Sequence, residues 1–260
     1  MYDIVGTGTV LTSCVAFWLF NKFLDDNSEP VKVPEKYSGY TKCKWRNVMG
    51  SILHAVLVSM VGFYCVFRSP EYMSERVTTH TTLGEVNICI TIGYLVYDAS
   101  DLMRFQGVYS TWPILTHHCC LFLLGFGCIM YHQQLVAYAL MGSMIETNSI
   151  FLHGRQLLLM YGFSKDSLIY KINNAFNIFT YITFRLIGGS IMLLVFLPAD
   201  YDKMSSFWFV VFTLAILTLV VINMILFYRL IRSDFIAKDY RSSNIMLSPK
   251  QAEKTAIKET

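Results

Sequence analysis

Seven long apolar stretches dominate this sequence. They cover roughly residues 4–24, 48–67, 83–103, 112–131, 134–153, 172–197 and 206–231. A helix of about 20 apolar residues crosses the hydrocarbon core of a bilayer, and it satisfies its own backbone hydrogen bonds there. A content of 54% hydrophobic and 15% charged residues, with a mean hydropathy of +0.45, also indicates lipid as the solvent. We therefore predict an all-α, polytopic membrane protein with about seven transmembrane helices.

The distribution of lysine and arginine predicts an orientation for these helices. With seven spans, 17 of the 21 basic residues fall on one side of the membrane, in the first, third and fifth loops and the tail. Only Arg68, Arg76 and Lys203 fall on the other side. Because basic loops stay in the cytosol, we expect a lumenal or extracellular N-terminus and a cytosolic C-terminus. The net charge of +3 is too small to indicate nucleic acid as a partner.

Changes in composition divide the chain into three parts. Residues 1–44 read as an anchor helix followed by a basic cytosolic loop. The first apolar stretch carries Asp3 and has no basic segment before it, which favours an uncleaved anchor over a signal peptide. Residues 45–231 read as the membrane domain, and residues 232–260 as a polar cytosolic tail.

Ionisable and amide side chains occur inside several predicted spans, where their burial in lipid is costly. In the predicted orientation, six of them lie in the cytosolic half of the membrane: His54, Asp98, Asp101, His117, His118 and His153. Three more lie near the midplane: Glu146, Asn148 and Arg185. Their shared depth predicts a polar cavity that opens to the cytosol.

Spacing divides the roles within this group. His117 and His118 are adjacent on a helix and so point about 100° apart, which means that both cannot serve one reacting atom equally well. We expect one to face the cavity as an acid or base, with Asp98 as its orienting partner in an acyltransferase, and the other to hold a neighbouring helix by bonding an aspartate. His117, His118 and Asp98 are therefore the candidate catalytic residues. The others are candidates for lipid binding or support.

Structural explanations remain open for several of these residues. Asp101 is expected to form an ion pair with Arg104 at a helix end, and His54 to donate a hydrogen bond between helices. Glu146 and Arg185 are equally compatible with a buried structural pair and with a functional role.

The chain resembles the TLC-domain family, named after TRAM, Lag and CLN proteins, which includes the ceramide synthases. The resemblance rests on residues spread over about 45–230: Trp45, Arg46 and His54, then Gly93-Tyr94-Leu95 with Asp98, His117 with His118, Glu146 and Arg185. It implies a bundle of six helices around a cavity that holds a lipid acyl chain, with the paired histidines at the cytosolic mouth.

The sequence departs from the synthases on the helix that follows the paired histidines. The synthases carry a His-Asp-x-x-Asp run there, whereas this chain reads Met-Ile-Glu-Thr-Asn-Ser over residues 144–149. One carboxylate remains, so the chain is more similar to the small TLC-domain-containing proteins linked to membrane lipid composition.

Three functions stay open on this basis. The first is lipid homeostasis through binding of an acyl lipid in the transmembrane cavity. The second is an acyltransferase that uses acyl-CoA as a substrate and acts on an amine or a lysolipid. The third is a cargo adaptor of the secretory pathway. We expect no metal and no resident cofactor, and a homodimer stays open. The resemblance favours the endoplasmic reticulum, with the plasma membrane as the alternative.

Overall fold

Helices make up nearly all of the computed structural model, which describes residues 2–27, 38–105, 108–130 and 135–236. No strand occurs in these four ranges. The predicted polar tail lies almost entirely outside them, as does much of the first loop.

The first half of the chain forms five helices. They are α1 (Tyr2–Asn27), α2 (Ser38–Arg68), the single-turn α3 (Glu71–Ser74), α4 (Thr82–Phe105) and α5 (Val108–Met130). Pro113 lies inside α5, in its second turn, where it cannot donate the usual helical hydrogen bond to the carbonyl oxygen four residues earlier. Four of them, α1, α2, α4 and α5, contain nearly all of the first four predicted spans, and α3 lies in the loop between the second and third.

The fifth predicted span is not one continuous helix. It consists of α6 (Val136–Ile145) and α7 (Thr147–Met160), which meet at Glu146. Glu146 keeps helical dihedral angles, with φ −64° and ψ −12°, so the interruption is a local change of hydrogen bonding. A polar side chain therefore occupies the joint between two helical halves.

A long helical segment follows, and its hydrogen-bonding pattern changes along its length. It runs through α8 (Leu168–Thr180), a π-helical stretch (Tyr181–Gly188), α9 (Gly189–Ile191), a second π stretch (Met192–Phe196) and α10 (Leu197–Ala199). A 3₁₀ turn (Tyr201–Lys203), α11 (Ser206–Ile231) and a last π turn (Arg232–Ile236) complete the described chain. Ser205 caps α11 by accepting a hydrogen bond from the backbone N–H of Trp208.

Four of the described helical segments are long and apolar enough to cross a membrane. They cover Lys42–Arg68, Thr111–Ile129, Leu168–Ala199 and Ser206–Phe235. By length and composition, α1, α4 and the α6–α7 pair are not among them. The protein is a polytopic, all-helical membrane protein, and the count of seven spans stays a prediction.

Six helical segments form a closed ring. In order around it, α2 packs on α4, α4 on α5, α5 on α11, α11 on the 168–199 segment, that segment on α7, and α7 on α2. The helix α6 packs inward against α2, α4 and α5. The ring thus encloses a space that α6 only partly fills.

The helix α1 lies outside this ring and packs closely on α4. Gly93 makes the approach possible, because a Cβ atom there would lie 2.4 Å from the carbonyl oxygen of Val10. Beside this contact the Ser13 hydroxyl donates a hydrogen bond of 2.8 Å to the carbonyl oxygen of Ile90. Small residues that let helix backbones approach are the usual basis of packing in lipid.

Candidate functional site

A layer of four polar side chains crosses the inside of the ring. Its members come from four different segments: His117 from α5, Glu146 from the α6–α7 joint, Arg185 from the first π stretch, and Asn223 from α11. We call them the polar layer. All four line one cavity, so the fold brings together residues that are up to 106 positions apart in the sequence.

Hydrogen bonds join three members of the polar layer, Glu146, Arg185 and Asn223. The Arg185 guanidinium donates to Asn223 Oδ1 at 3.0 Å and to Ser149 Oγ at 2.7 Å. The Ser149 hydroxyl in turn donates to a carboxylate oxygen of Glu146. Glu146 and Arg185 are therefore linked through a serine, which balances their opposite charges inside the bundle.

Two irregularities of the helical backbone position Glu146 and Arg185 in the polar layer. Glu146 lies where α6 ends and α7 begins, and Arg185 lies in a π-helical stretch. A π-helical stretch changes the direction of the side chains that follow it, and such stretches are frequent at functional sites. The irregular backbone thus coincides with the polar layer.

The cavity next to the polar layer is apolar. About 820 Å³ of space free of protein atoms lies within and in front of it, a figure that includes the open space at its mouth. Apart from the polar layer, Thr91, Tyr138 and Ser143, its lining is aliphatic or glycine. The aliphatic lining is Ile88, Ile92, Leu121, Leu124, Ala139, Ile145, Met192, Ile216, Leu219 and Val220. A cavity with one polar end and apolar walls matches an amphipathic ligand.

His118 points away from this cavity, toward α4. Its Nε2 lies 3.5 Å from Asp98 Oδ2, and its Nδ1 is buried without a hydrogen-bond partner. Asp98 also accepts a hydrogen bond from the Asn47 side chain of α2. The rings of His117 and His118 are 6.0 Å apart and inclined by 55°, so the two histidines serve different surroundings.

His54 is held by aromatic packing. It is 3% exposed, and its ring stacks on Tyr94 with centroids 3.9 Å apart and planes inclined by 13°. Phe17 of α1 packs edge-on against Tyr94. The expected hydrogen bond between helices is not found at His54 Nε2, which has no partner. The ring fits a slot too apolar to offer that nitrogen an acceptor.

The expected pairing of Asp101 with Arg104 is wrong. Asp101 is buried and accepts a hydrogen bond of 2.7 Å from Arg46 of α2, while Arg104 is exposed. Arg46 also forms an ion pair with Asp25 of α1. A guanidinium carries several donors in a fork, so one buried arginine can bridge two carboxylates on two helices.

Asn148 and His153 lie on α7 but do not line the cavity. Asn148 is fully buried, and its amide donates to the backbone and side-chain oxygens of Asn177 and to Thr180 Oγ1 at 2.9–3.1 Å. His153 Nδ1 lies 3.4 Å from the Gln156 side chain. Asn148 thus joins α7 to α8, and His153 stays within α7.

Of the nine candidate residues, the fold places three on the cavity: His117, Glu146 and Arg185.

Two members of the site, Asn223 and Ser149, are absent from the residues proposed from the sequence. The available signal was the isolated amide of Asn223 in α11, the most hydropathic of the four candidate spans.

A metal site finds no support in this geometry. Among the described residues, no three histidine, cysteine, aspartate or glutamate side chains are arranged to hold a metal ion.

A ring of helices around a cavity with a polar end defines a class of polytopic membrane protein. Comparison with known proteins narrows the class. The TLC-domain model matches residues 44–232, and the chain belongs to the TLC-domain family. The members of this family are generally membrane proteins linked to lipid metabolism.

Curated relatives agree with this assignment. TLC domain-containing protein 2 of Danio rerio is 30% identical over 192 residues, which cover 74% of this chain and 77% of the relative. TLC domain-containing protein 1 of Rattus norvegicus is 27% identical over 193 residues, covering 74% and 76%. TLC domain-containing protein 4 A of Dictyostelium discoideum is 22% identical over 179 residues, covering 66% and 67%. No solved structure matches the chain.

Proposed function

We propose that this protein acts in lipid homeostasis by holding the acyl chain of a membrane lipid in its cavity, with the lipid head at the polar layer. The observation that carries the proposal is the polarity of the cavity, which places His117, Glu146, Arg185 and Asn223 beside aliphatic walls. A membrane lipid already has its acyl chain in hydrocarbon, so binding in the cavity depends on van der Waals packing against the aliphatic walls and on polar contacts of the head rather than on removal of methylene groups from water.

A substitution that fills the cavity tests the proposal. Gly142 lines the cavity, and a Cβ atom added there would meet nothing within 4 Å. Gly142→Leu therefore places a side chain in the ligand space without a clash. Gly8 of α1 is the comparison, because a Cβ atom there also meets nothing within 4 Å, and the residue lines a separate groove between α1 and α2 instead of the cavity.

The measurement is the lipid that co-purifies with the protein in mild detergent, quantified by native mass spectrometry. We expect wild type and Gly8→Leu to carry an acyl lipid, and Gly142→Leu to carry at least about tenfold less, since a filled site loses more than 1.4 kcal/mol of binding. Wild type free of lipid, with no thermal shift on addition of lipid, would refute the proposal. Equal lipid content in Gly142→Leu and Gly8→Leu would refute the cavity as the site.

Acyl transfer from acyl-CoA is the second candidate function, and the position of His117 on the cavity beside Glu146 favours it. His117 is the candidate base, because His118 points away from the cavity toward Asp98. Labelled acyl-CoA with candidate amines and lysolipids is the direct assay. We expect the product to fall by about 10²-fold or more in His117→Ala, the size of a general-base contribution. An unchanged yield would exclude this role for His117.

We further propose that the protein resides in the endoplasmic reticulum with its N-terminus in the lumen and its C-terminus in the cytosol. The excess of lysine and arginine on one side of the predicted spans supports the orientation, and membership of the TLC-domain family supports the organelle. Tags inserted after residues 70 and 200 should be protected from cytosolic reagents until the membrane is permeabilised. Labelling of either tag by a cytosolic reagent before permeabilisation would place that loop in the cytosol and contradict the proposed orientation.

A further inference from the structure

Four apolar side chains form a second layer across the cavity, about two helical turns from the polar layer. They come from the same four segments: Leu124 lies seven residues after His117, Tyr138 eight before Glu146, Met192 seven after Arg185, and Ile216 seven before Asn223. We call them the apolar layer. With a rise of about 1.5 Å per residue, the two layers are roughly 10–12 Å apart.

The side of the apolar layer that faces away from the polar layer is firmly closed. Tyr138 is 2% exposed, and its hydroxyl donates a hydrogen bond of 2.7 Å to Asp200. Asp200 is fully buried and also accepts two hydrogen bonds from the Arg76 guanidinium, at 2.8 and 3.1 Å. The Tyr138 ring further packs edge-on against Phe212 of α11.

Backbone connections brace the same end of the bundle. The Leu135 N–H, just before α6, donates a hydrogen bond of 2.8 Å to the carbonyl oxygen of Val77. The Cys128 thiol of α5 donates to the Leu135 carbonyl oxygen at 3.3 Å. The ends of α5 and α6 and the loop before α4 are therefore joined, and this end resists opening.

The space between the two layers is different. Gly142 lies one turn from Tyr138 and one turn from Glu146 on the same helical run, and it leaves open space beside it. Unfilled volume thus lies between a polar layer that is fixed by hydrogen bonds and an apolar layer that is fixed by packing.

We propose that the apolar layer is a depth gauge that sets how much of an acyl chain the cavity accepts. The inference rests on the proposed lipid binding and adds to it the residues that select chain length. A chain whose head is held at the polar layer gains apolar contact with each methylene until its end meets Tyr138 and Met192. Methylene groups beyond that length add no further binding free energy, because the closed end cannot move aside.

A series of straight-chain alcohols of increasing length tests the gauge on the wild-type protein. Binding is measured by displacement of a fluorescent fatty alcohol in mild detergent. Affinities are referred to the alcohol that is free in water, because detergent micelles take up longer alcohols more strongly. On that scale we expect affinity to rise about fourfold with each added methylene, and then to level off at the length that fills the space between the layers. A continuous rise over the whole series would overturn the gauge.

The alcohol length at which affinity stops rising is called the levelling point. Two variants should move it in opposite directions. Met192→Ala removes the tip of a side chain from the apolar layer, and we expect the levelling point to move to alcohols that are longer by about one or two methylenes. Gly142→Leu fills part of the space between the apolar layer and the polar layer, and we expect the levelling point to move to shorter alcohols. Met60→Ala is the matched control, because Met60 is 66% exposed on α2 and lies outside the cavity.

The outcomes separate the gauge from the function on which it rests. A wild-type protein that binds no alcohol of any length refutes lipid binding itself. Binding with the levelling point unchanged in both Met192→Ala and Gly142→Leu refutes the gauge alone. A shift as large in Met60→Ala would show that the effect is not local to the cavity. If either cavity variant is not monodisperse, the wild-type series decides.

Discussion

Asp200→Asn should destabilise the closed end of the bundle more than any other single change of a carboxylate to an amide at this end. Asp200 follows α10 directly and is fully buried, although it carries a charge. It accepts hydrogen bonds from Arg76 on the α3–α4 loop and from Tyr138 on α6. One carboxylate therefore joins three parts of the chain that are up to 124 residues apart.

The expected cost follows from these contacts. Hydrogen bonds to charged groups contribute about 1.5–3 kcal/mol each, and removing one partner of a buried ion pair costs about 3–5 kcal/mol. Asparagine keeps one acceptor oxygen, and Arg76 retains its packing over the Phe196 ring at 4.4 Å. We therefore expect a loss near the lower limit, about 3 kcal/mol. For a chain of this size that corresponds to a fall in Tm of roughly 6–12 °C.

The charge of Arg76 does not change over the pH range of such an experiment. Burial alone would lower the pKa of Arg76, but its hydrogen bonds to Asp200 and the charge of that carboxylate raise the pKa overall. A raised arginine pKa means that the stabilisation from this cation is fully present at neutral and acidic pH and is lost only at strongly alkaline pH. The fall in Tm for Asp200→Asn should therefore be measured at neutral pH.

The assay is thermal unfolding of the purified protein in mild detergent, followed by intrinsic fluorescence. Asp202→Asn is the control, since Asp202 is exposed on the same turn and carries the same change of charge. We expect the control to lie within about 2 °C of wild type. A fall in Tm for Asp200→Asn no larger than that of the control would refute the reasoning.

Two further predictions concern other contacts between helices. Gly93→Val should separate α1 from α4, because its Cβ would lie 2.4 Å from a backbone carbonyl of α1, and overpacking of this kind costs about 1–3 kcal/mol. Gly8→Val is its control, and equal thermal shifts in the two variants would contradict the packing argument. Arg155→Met should destabilise the end of α11 by about 3 kcal/mol, because Arg155 forms a two-pronged pair with the buried side chain of Asp234. Lys171→Met removes the exposed ion pair with Asp166 and should change Tm little. A similar loss of stability in both variants would show that burial does not determine how much an ion pair contributes.

The positions of the helices could be predicted from the sequence because they depend on local hydropathy. The last predicted span, 206–231, coincides with α11, Ser206–Ile231, and the third, 83–103, lies within α4, Thr82–Phe105. The interruption at Glu146 could not be predicted, because the apolar residues on both sides read as one stretch. Which backbone hydrogen bonds rearrange there is decided by the helices that pack on α6 and α7.

The candidate site was also predictable from the sequence only in part. The residue types of His117, Glu146 and Arg185 marked them out in the sequence, since charged and polar groups in apolar stretches are costly. Which of them meet was decided by the fold: Asp101 pairs with Arg46 rather than with its neighbour on the same helix, and Tyr138 reaches Asp200. By itself the sequence determined that this chain is a helical membrane protein with polar residues in its spans. Only the tertiary structure decided which of them share a cavity and where that cavity ends, because those contacts join residues too far apart for any local pattern to encode.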